Sequence, residues 1–151
     1  PDTTAYIAVS EGRDEAFIVE NLETFNRYAS TLTPTPAGAS QSMAQAKAFM
    51  AICHLAHDPT VLTVIPESKR APSGSPKDVS VAQWFEMNAA SSPFHAPEFS
   101  RTEESQMLRF FSWQGLVGII RHHEYRMKPN GEIVSHNDQK LATWVGDWWI
   151  H

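Results

Sequence analysis

The chain has 151 residues, a formal net charge of −5 and a hydrophobic fraction of 42%. That length suits a single domain over residues 1–151 with a sizeable core, and the composition is globular, which excludes an intrinsically disordered chain. The negative charge and the scatter of the 12 Lys and Arg residues exclude nucleic acid as the main partner, because phosphate binding needs clustered cations.

Cys53 is the only cysteine, so the chain has neither an internal disulfide nor a cysteine-rich zinc motif. A reducing, cytoplasmic setting is the simplest expectation. No apolar run approaches the length of a membrane span, and Pro1-Asp2-Thr3-Thr4-Ala5 has neither the basic nor the apolar region of a signal peptide. No membrane partner is expected. The sequence also shows no nucleotide-binding loop and no nucleophile elbow, and it implies no organic cofactor.

In chain order, residues 5–9 form a short β-like run. Ser10 reads as an N-cap, with Glu11, Asp14 and Glu15 in the first turn that follows. Ile18, Leu22, Phe25 and Ala29 then recur at helical spacing, which predicts a helix over 13–29. Pro34, Pro36 and Gly38 end it. Ser40 or Ser42 is expected to cap a second helix to about His57, with Met43, Ala46, Met50 and Cys53 along one stripe. Residues 60–65 are β-branched, bounded by prolines, and read as a strand. Residues 68–78, rich in Pro, Ser and Gly, read as a flexible insertion.

Asp78 or Ser80 begins a third helix, with Val81, Trp84, Phe85 and Asn88 on one side. Residues 91–100 look irregular. Thr102-Glu103-Glu104-Ser105 resembles a helix start, and Met107, Leu108 and Phe111 follow at helical spacing, so a short fourth helix is predicted; a strand over 106–113 is the alternative.

The last part reads as a β-hairpin. In Lys128-Pro129-Asn130-Gly131-Glu132, proline suits i+1 of a type I turn, which leaves Gly131 left-handed as a bulge. Lys128 then faces Glu132, Met127 faces Ile133 and Tyr125 faces Ser135. This register sets His122 across from Asp138 and Glu124 across from His136 on one face. These four residues are the candidate catalytic set, able to move protons near neutral pH or to hold a divalent metal. The same four also read as a solvent-facing ladder of paired charges. No metal is assigned.

His123 faces Asn137 on the apolar side, next to Tyr125, and this group reads either as the wall of a ligand pocket or as a satisfied core cluster. His54 and His57, at i and i+3, read as helix-end histidines favoured by the helix dipole. Trp148 and Trp149 point opposite ways along a straight strand, so one of them is a candidate ligand wall or homodimer contact.

The expected fold is α+β: about four helices packed on a twisted antiparallel sheet. In element order it resembles the cone-shaped fold of ketosteroid isomerase and scytalone dehydratase, where helices close a curved sheet around a pocket. No catalytic motif of those families is matched, so no residue role follows from the resemblance. Two functions are expected from the residues. One is a small-molecule-binding domain doing cofactor-independent acid/base chemistry of the isomerase, dehydratase or cyclase type. The other is a non-catalytic module that binds a partner protein, or itself, through the C-terminal aromatics.

Overall fold

The computed structural model describes residues 6–9, 16–19, 21–32, 38–54, 60–66, 79–114 and 118–145. They form strands β1 (Tyr6–Val9) and β2 (Ala16–Val19), helices α1 (Leu22–Leu32) and α2 (Ala39–Phe49), and a π-helical turn (Met50–His54). Strand β3 (Thr60–Leu62), helix α3 (Val81–Met87) and strands β4 (Glu98–Arg101), β5 (Gln106–Gln114), β6 (Ile119–Met127) and β7 (Ile133–Ala142) follow. β1 and β2 pair antiparallel, with Tyr6 opposite Val19. The other five strands make one sheet in the order β3-β5-β6-β7, with β4 also paired to β5. The class is α+β, with three α-helices among the described residues where about four were expected. None of the described helices is long and apolar enough to cross a membrane.

The helix expected over 13–29 is corrected. Residues Ala16–Val19 pair with β1, and α1 begins only at Leu22. The run Phe17-Ile18-Val19 is aromatic and β-branched, and cross-strand pairing outweighs its chance helical spacing. The start of α1 is set locally instead. Asn21 Oδ1 accepts the Thr24 N–H at 3.0 Å, and Thr24 Oγ1 accepts the Asn21 N–H at 3.2 Å, a reciprocal cap. Ser10, Glu11, Asp14 and Glu15 lie outside the described residues.

α2 is capped by Gly38, whose N–H donates to Gln41 Oε1 at 3.2 Å, and not by Ser40 or Ser42. Ser42 is buried, and its hydroxyl donates to Gln106 Oε1 at 2.9 Å. α3 starts where the sequence expects it. Ser80 Oγ accepts the Gln83 N–H at 3.2 Å while Gln83 Oε1 accepts the Ser80 N–H at 3.0 Å.

The expected fourth helix is instead the strand β5, which agrees with the alternative reading of a strand over 106–113. Thr102 and Ser105 instead close the turn between β4 and β5, with the Thr102 N–H donating to the Ser105 carbonyl at 2.8 Å. Phe110, Phe111 and Ser112 are consecutive and all buried, so this part of β5 is covered on both sides. A strand covered on both sides shows no period of two, which is why Met107, Leu108 and Phe111 resemble a helix stripe.

The chain groups into two compact units. The first comprises Pro1–Asp58, Phe99–Leu108 and Tyr125–His136; the second comprises Pro59–Glu98, Arg109–Glu124 and Asn137–His151. In the first unit Phe49 is fully buried and meets Phe25, Tyr125 and His136 edge-on, with ring centroids 4.8–6.2 Å apart. The Asn26 side chain acts as a strand edge toward Ile133: its amide donates to the Ile133 carbonyl at 2.7 Å and its oxygen accepts the Ile133 N–H at 3.1 Å. In the second unit Leu62, Val81, Phe85, Phe111, Ile120 and Val145 form the core, with Trp84, Phe94 and Trp113 packed against it.

The hairpin turn has the expected bulged form. The Gly131 N–H donates to the Lys128 carbonyl at 2.9 Å, the Lys128 N–H donates to the Glu132 carbonyl at 2.8 Å, and Gly131 has φ of 90°. Replacing Gly131 by valine is expected to destabilise the protein by roughly 1–2 kcal/mol, the cost of a side chain in the left-handed region. A thermal melt that does not move would show that the turn accommodates the side chain.

Candidate functional site

Adjacent strand residues point to opposite faces, and two doublets exploit this within the second unit. β5 carries Phe110-Phe111 and β6 carries His122-His123. His123 stacks on Phe110, with centroids 4.7 Å apart and planes at 20°. His122 leans on Phe111 at 4.9 Å. One face of this strand pair therefore holds His123 and the other holds His122.

On the His123 face, Ser112 lies two residues beyond Phe110. Ser112 Oγ is 2.6 Å from His123 Nε2, and His123 Nδ1 is 2.6 Å from Asp138 Oδ1. A carboxylate oxygen only accepts, so Nδ1 carries the proton it donates to Asp138. Nε2 is then the nitrogen that takes the serine hydroxyl proton. Ser112 and His123 are each 1% exposed, and the Asp138 side chain is 14% exposed. The chain of hydrogen bonds thus runs from a buried hydroxyl to a carboxylate near the surface. Its geometry is that of a histidine oriented by a carboxylate and bonded to a hydroxyl.

The expected catalytic set does not converge. Asp138 bonds His123 and not His122. Glu124 accepts from Arg109 Nε at 2.8 Å. His122 meets His95, with their Nε2 atoms 3.4 Å apart. His136, in the first unit, stacks on Tyr125 at 5.9 Å and 25°, so Tyr125 faces His136 where Ser135 was expected. The cause is a one-residue slip in β7. Ile133 is buried, but Val134 and Ser135 are both exposed, and the inward positions after them are His136 and Asp138. On β6 the inward positions remain Met127, Tyr125 and His123. Two residues against one is what a β-bulge produces, and every later pair moves by one position. Asn137, expected opposite His123, is exposed as a result.

Of the expected ligand-lining residues, His123 is in the hydrogen-bonded chain and Tyr125 lies in the aromatic core of the first unit. Trp148 and Trp149 fall outside the described residues, as do His57 and residues 68–78. Among the described residues no group of three or more His, Cys, Asp and Glu is placed to hold a metal ion. Ser112 is not marked by any motif in the sequence. Its signal is a lone hydroxyl among Phe110, Phe111 and Trp113, since a buried hydroxyl needs a partner.

No family model, curated protein or solved structure matches the chain.

His122 holds its proton less readily than an ordinary histidine. Burial of the ring lowers its pKa from 6.5, His95 lowers it further, the Glu124 carboxylate opposes this, and His123 and Arg109 add to the lowering. The unfolded chain then binds this proton more readily than the folded one. The His122 contribution to stability is full above pH 6.5 and is lost as pH falls through that value toward the lower folded pKa. In chelator-treated protein, melts between pH 7 and pH 5 should fall less steeply for His122→Gln than for the parent. Equal slopes would assign the acid sensitivity to other groups.

Proposed function

We propose that this chain is a small-molecule-binding domain that performs cofactor-independent acid/base chemistry, with His123 as the proton-transferring group. Asp138 fixes the ring orientation, and Ser112 is the hydroxyl on the reactive nitrogen. The observation that carries the reading is the continuous Ser112–His123–Asp138 chain, with both links at 2.6 Å. Such a histidine shuttles a proton between a donor and an acceptor on Nε2 without moving its ring. The stacked Phe110 and the burial of the chain keep bulk water away, which strengthens each electrostatic contact. Isomerisation, dehydration and cyclisation of carbonyl compounds each use a proton transfer of this kind. A pocket closed by helices over a curved sheet, as the element order suggests, would hold such a substrate.

The test is proton exchange. A panel of enolisable ketones in D₂O should show exchange next to the carbonyl in the presence of the parent protein. His123→Gln and Asp138→Asn should slow it by about 100-fold or more, the usual contribution of a positioned acid or base. Folded parent protein that gives no exchange above buffer for any member of the panel would remove the enzyme reading.

One observation favours the second reading, an interaction module that assembles with itself or another protein. Trp144 is 67% exposed and holds a left-handed backbone at φ of 62°, a conformation that costs a non-glycine residue about 1–2 kcal/mol. Val64 and Met87 are also largely exposed in the same unit. A homodimer through Trp144 or Trp148 would appear in sedimentation at micromolar concentration and weaken on Trp144→Ala or Trp148→Ala; a monomeric parent would exclude self-assembly.

A further inference from the structure

The His122 face of the strand pair carries chemistry that the His123 chain does not use. His95 comes from the segment between α3 and β4, and His122 from β6, so the fold brings together two imidazoles 27 positions apart. We propose that His95 and His122 form a two-imidazole site for a borderline-soft divalent cation of the Zn²⁺, Ni²⁺ or Cu²⁺ class.

Four features of the pair support this. First, the two Nε2 atoms are 3.4 Å apart, a long hydrogen bond whose single proton an ion between the rings would replace. Two ring nitrogens bound at ~2.0–2.1 Å in a tetrahedral shell are separated by about 3.3 Å. Second, the His95 tautomer is fixed. Its Nδ1 lies 2.9 Å from the Ala96 carbonyl, which only accepts, so Nδ1 carries the proton and Nε2 presents a lone pair toward His122. A carbonyl or carboxylate on the far ring nitrogen is the usual support of a metal-binding histidine, and Glu98 adds a carboxylate 4.0 Å from the same Nδ1.

Third, both rings are seated on one buried side chain. Phe111 lies 4.8 Å from His95 and 4.9 Å from His122, and it belongs to the core of its unit, so the pair is held in place before any ion arrives. Fourth, both histidines are partly exposed, so an ion can enter and keep water on its remaining positions. Because no third His, Cys, Asp or Glu among the described residues completes the shell, the bound ion keeps open positions, unlike the ion of a closed structural site. Imidazole nitrogen favours Cu²⁺, Ni²⁺ and Zn²⁺ over Mg²⁺.

The experiment uses the full chain, treated with chelator and then titrated calorimetrically with Zn²⁺, Cu²⁺ and Mg²⁺. One equivalent of Zn²⁺ or Cu²⁺ should bind, and Mg²⁺ should not. Substoichiometric Cu²⁺ should broaden the imidazole NMR signals of His95 and His122 before those of the other five histidines in the chain. His95→Gln and His122→Gln should each weaken binding at least about tenfold, with a smaller loss for Glu98→Gln. Absence of stoichiometric binding overturns the proposal. So does Cu²⁺ broadening confined to other histidines, a readout on the parent protein that does not depend on any variant folding. Unchanged affinity in a folded His95→Gln, His122→Gln double variant overturns it as well.

Discussion

Gly118→Ala should lower the unfolding free energy by about 2–5 kcal/mol. Two costs combine. Gly118 has φ of 60°, where a side chain costs roughly 1–2 kcal/mol. A Cβ there would also lie 2.6 Å from the Val145 nitrogen and 2.7 Å from its carbonyl oxygen, and relieving such overpacking typically costs ~1–3 kcal/mol. The clashing atoms are backbone and are tied down. The Val145 N–H donates to the Gly118 carbonyl at 2.8 Å, the Val145 carbonyl accepts from Trp113 Nε1 at 2.8 Å, and the Val145 side chain is buried in the core of its unit. Val145 also bridges to Val79. Urea unfolding measures the change. A loss no larger than the ~0.5 kcal/mol of an ordinary surface substitution would mean that residues 144 and 145 move aside freely.

His123→Ala is the second large effect, expected at about 3–8 kcal/mol. It removes a buried ring stacked on Phe110, leaving a cavity of the kind that costs ~2–5 kcal/mol in large-to-small core changes. It also takes the acceptor from the Ser112 hydroxyl, and a buried polar group stripped of its partner costs ~1–3 kcal/mol. The second term is separable. If the hydrogen bond to Ser112 matters as the geometry indicates, adding Ser112→Ala to His123→Ala should recover part of the loss, because both polar partners are then gone. Strictly additive losses would reduce His123 to a packing residue and weaken the acid/base reading along with it.

The candidate site was only partly legible in the sequence. His123 and Asp138 both stand out in the sequence, but as members of different groups. Pairing them required knowing that β7 carries an extra residue at Val134 and Ser135. A bulge has no reliable local signature here, since neither residue is glycine and the apolar pattern of β6 and β7 fits the unslipped register nearly as well. Ser112 was hidden because β5 looked like a helix. His95 was hidden because residues 91–100 looked irregular and carried no period at all.

Features that a few neighbouring residues decide among themselves can be read directly from the chain. The Ser80 cap with Gln83 reaching back, the type I turn at Lys128–Glu132 with Gly131 at positive φ, the strand at Thr60–Leu62 and the α+β class all rest on local sterics, capping and composition. The tertiary structure decided the rest: that Ala16–Val19 pairs with β1 instead of opening a helix, that β5 is a strand, that Asp138 meets His123, and that His95 meets His122. Hydrophobic spacing reports that a residue is buried but not which neighbour buries it. Cross-strand pairing and the slip of a bulge depend on residues far away in the chain, and they decide which histidine receives the carboxylate.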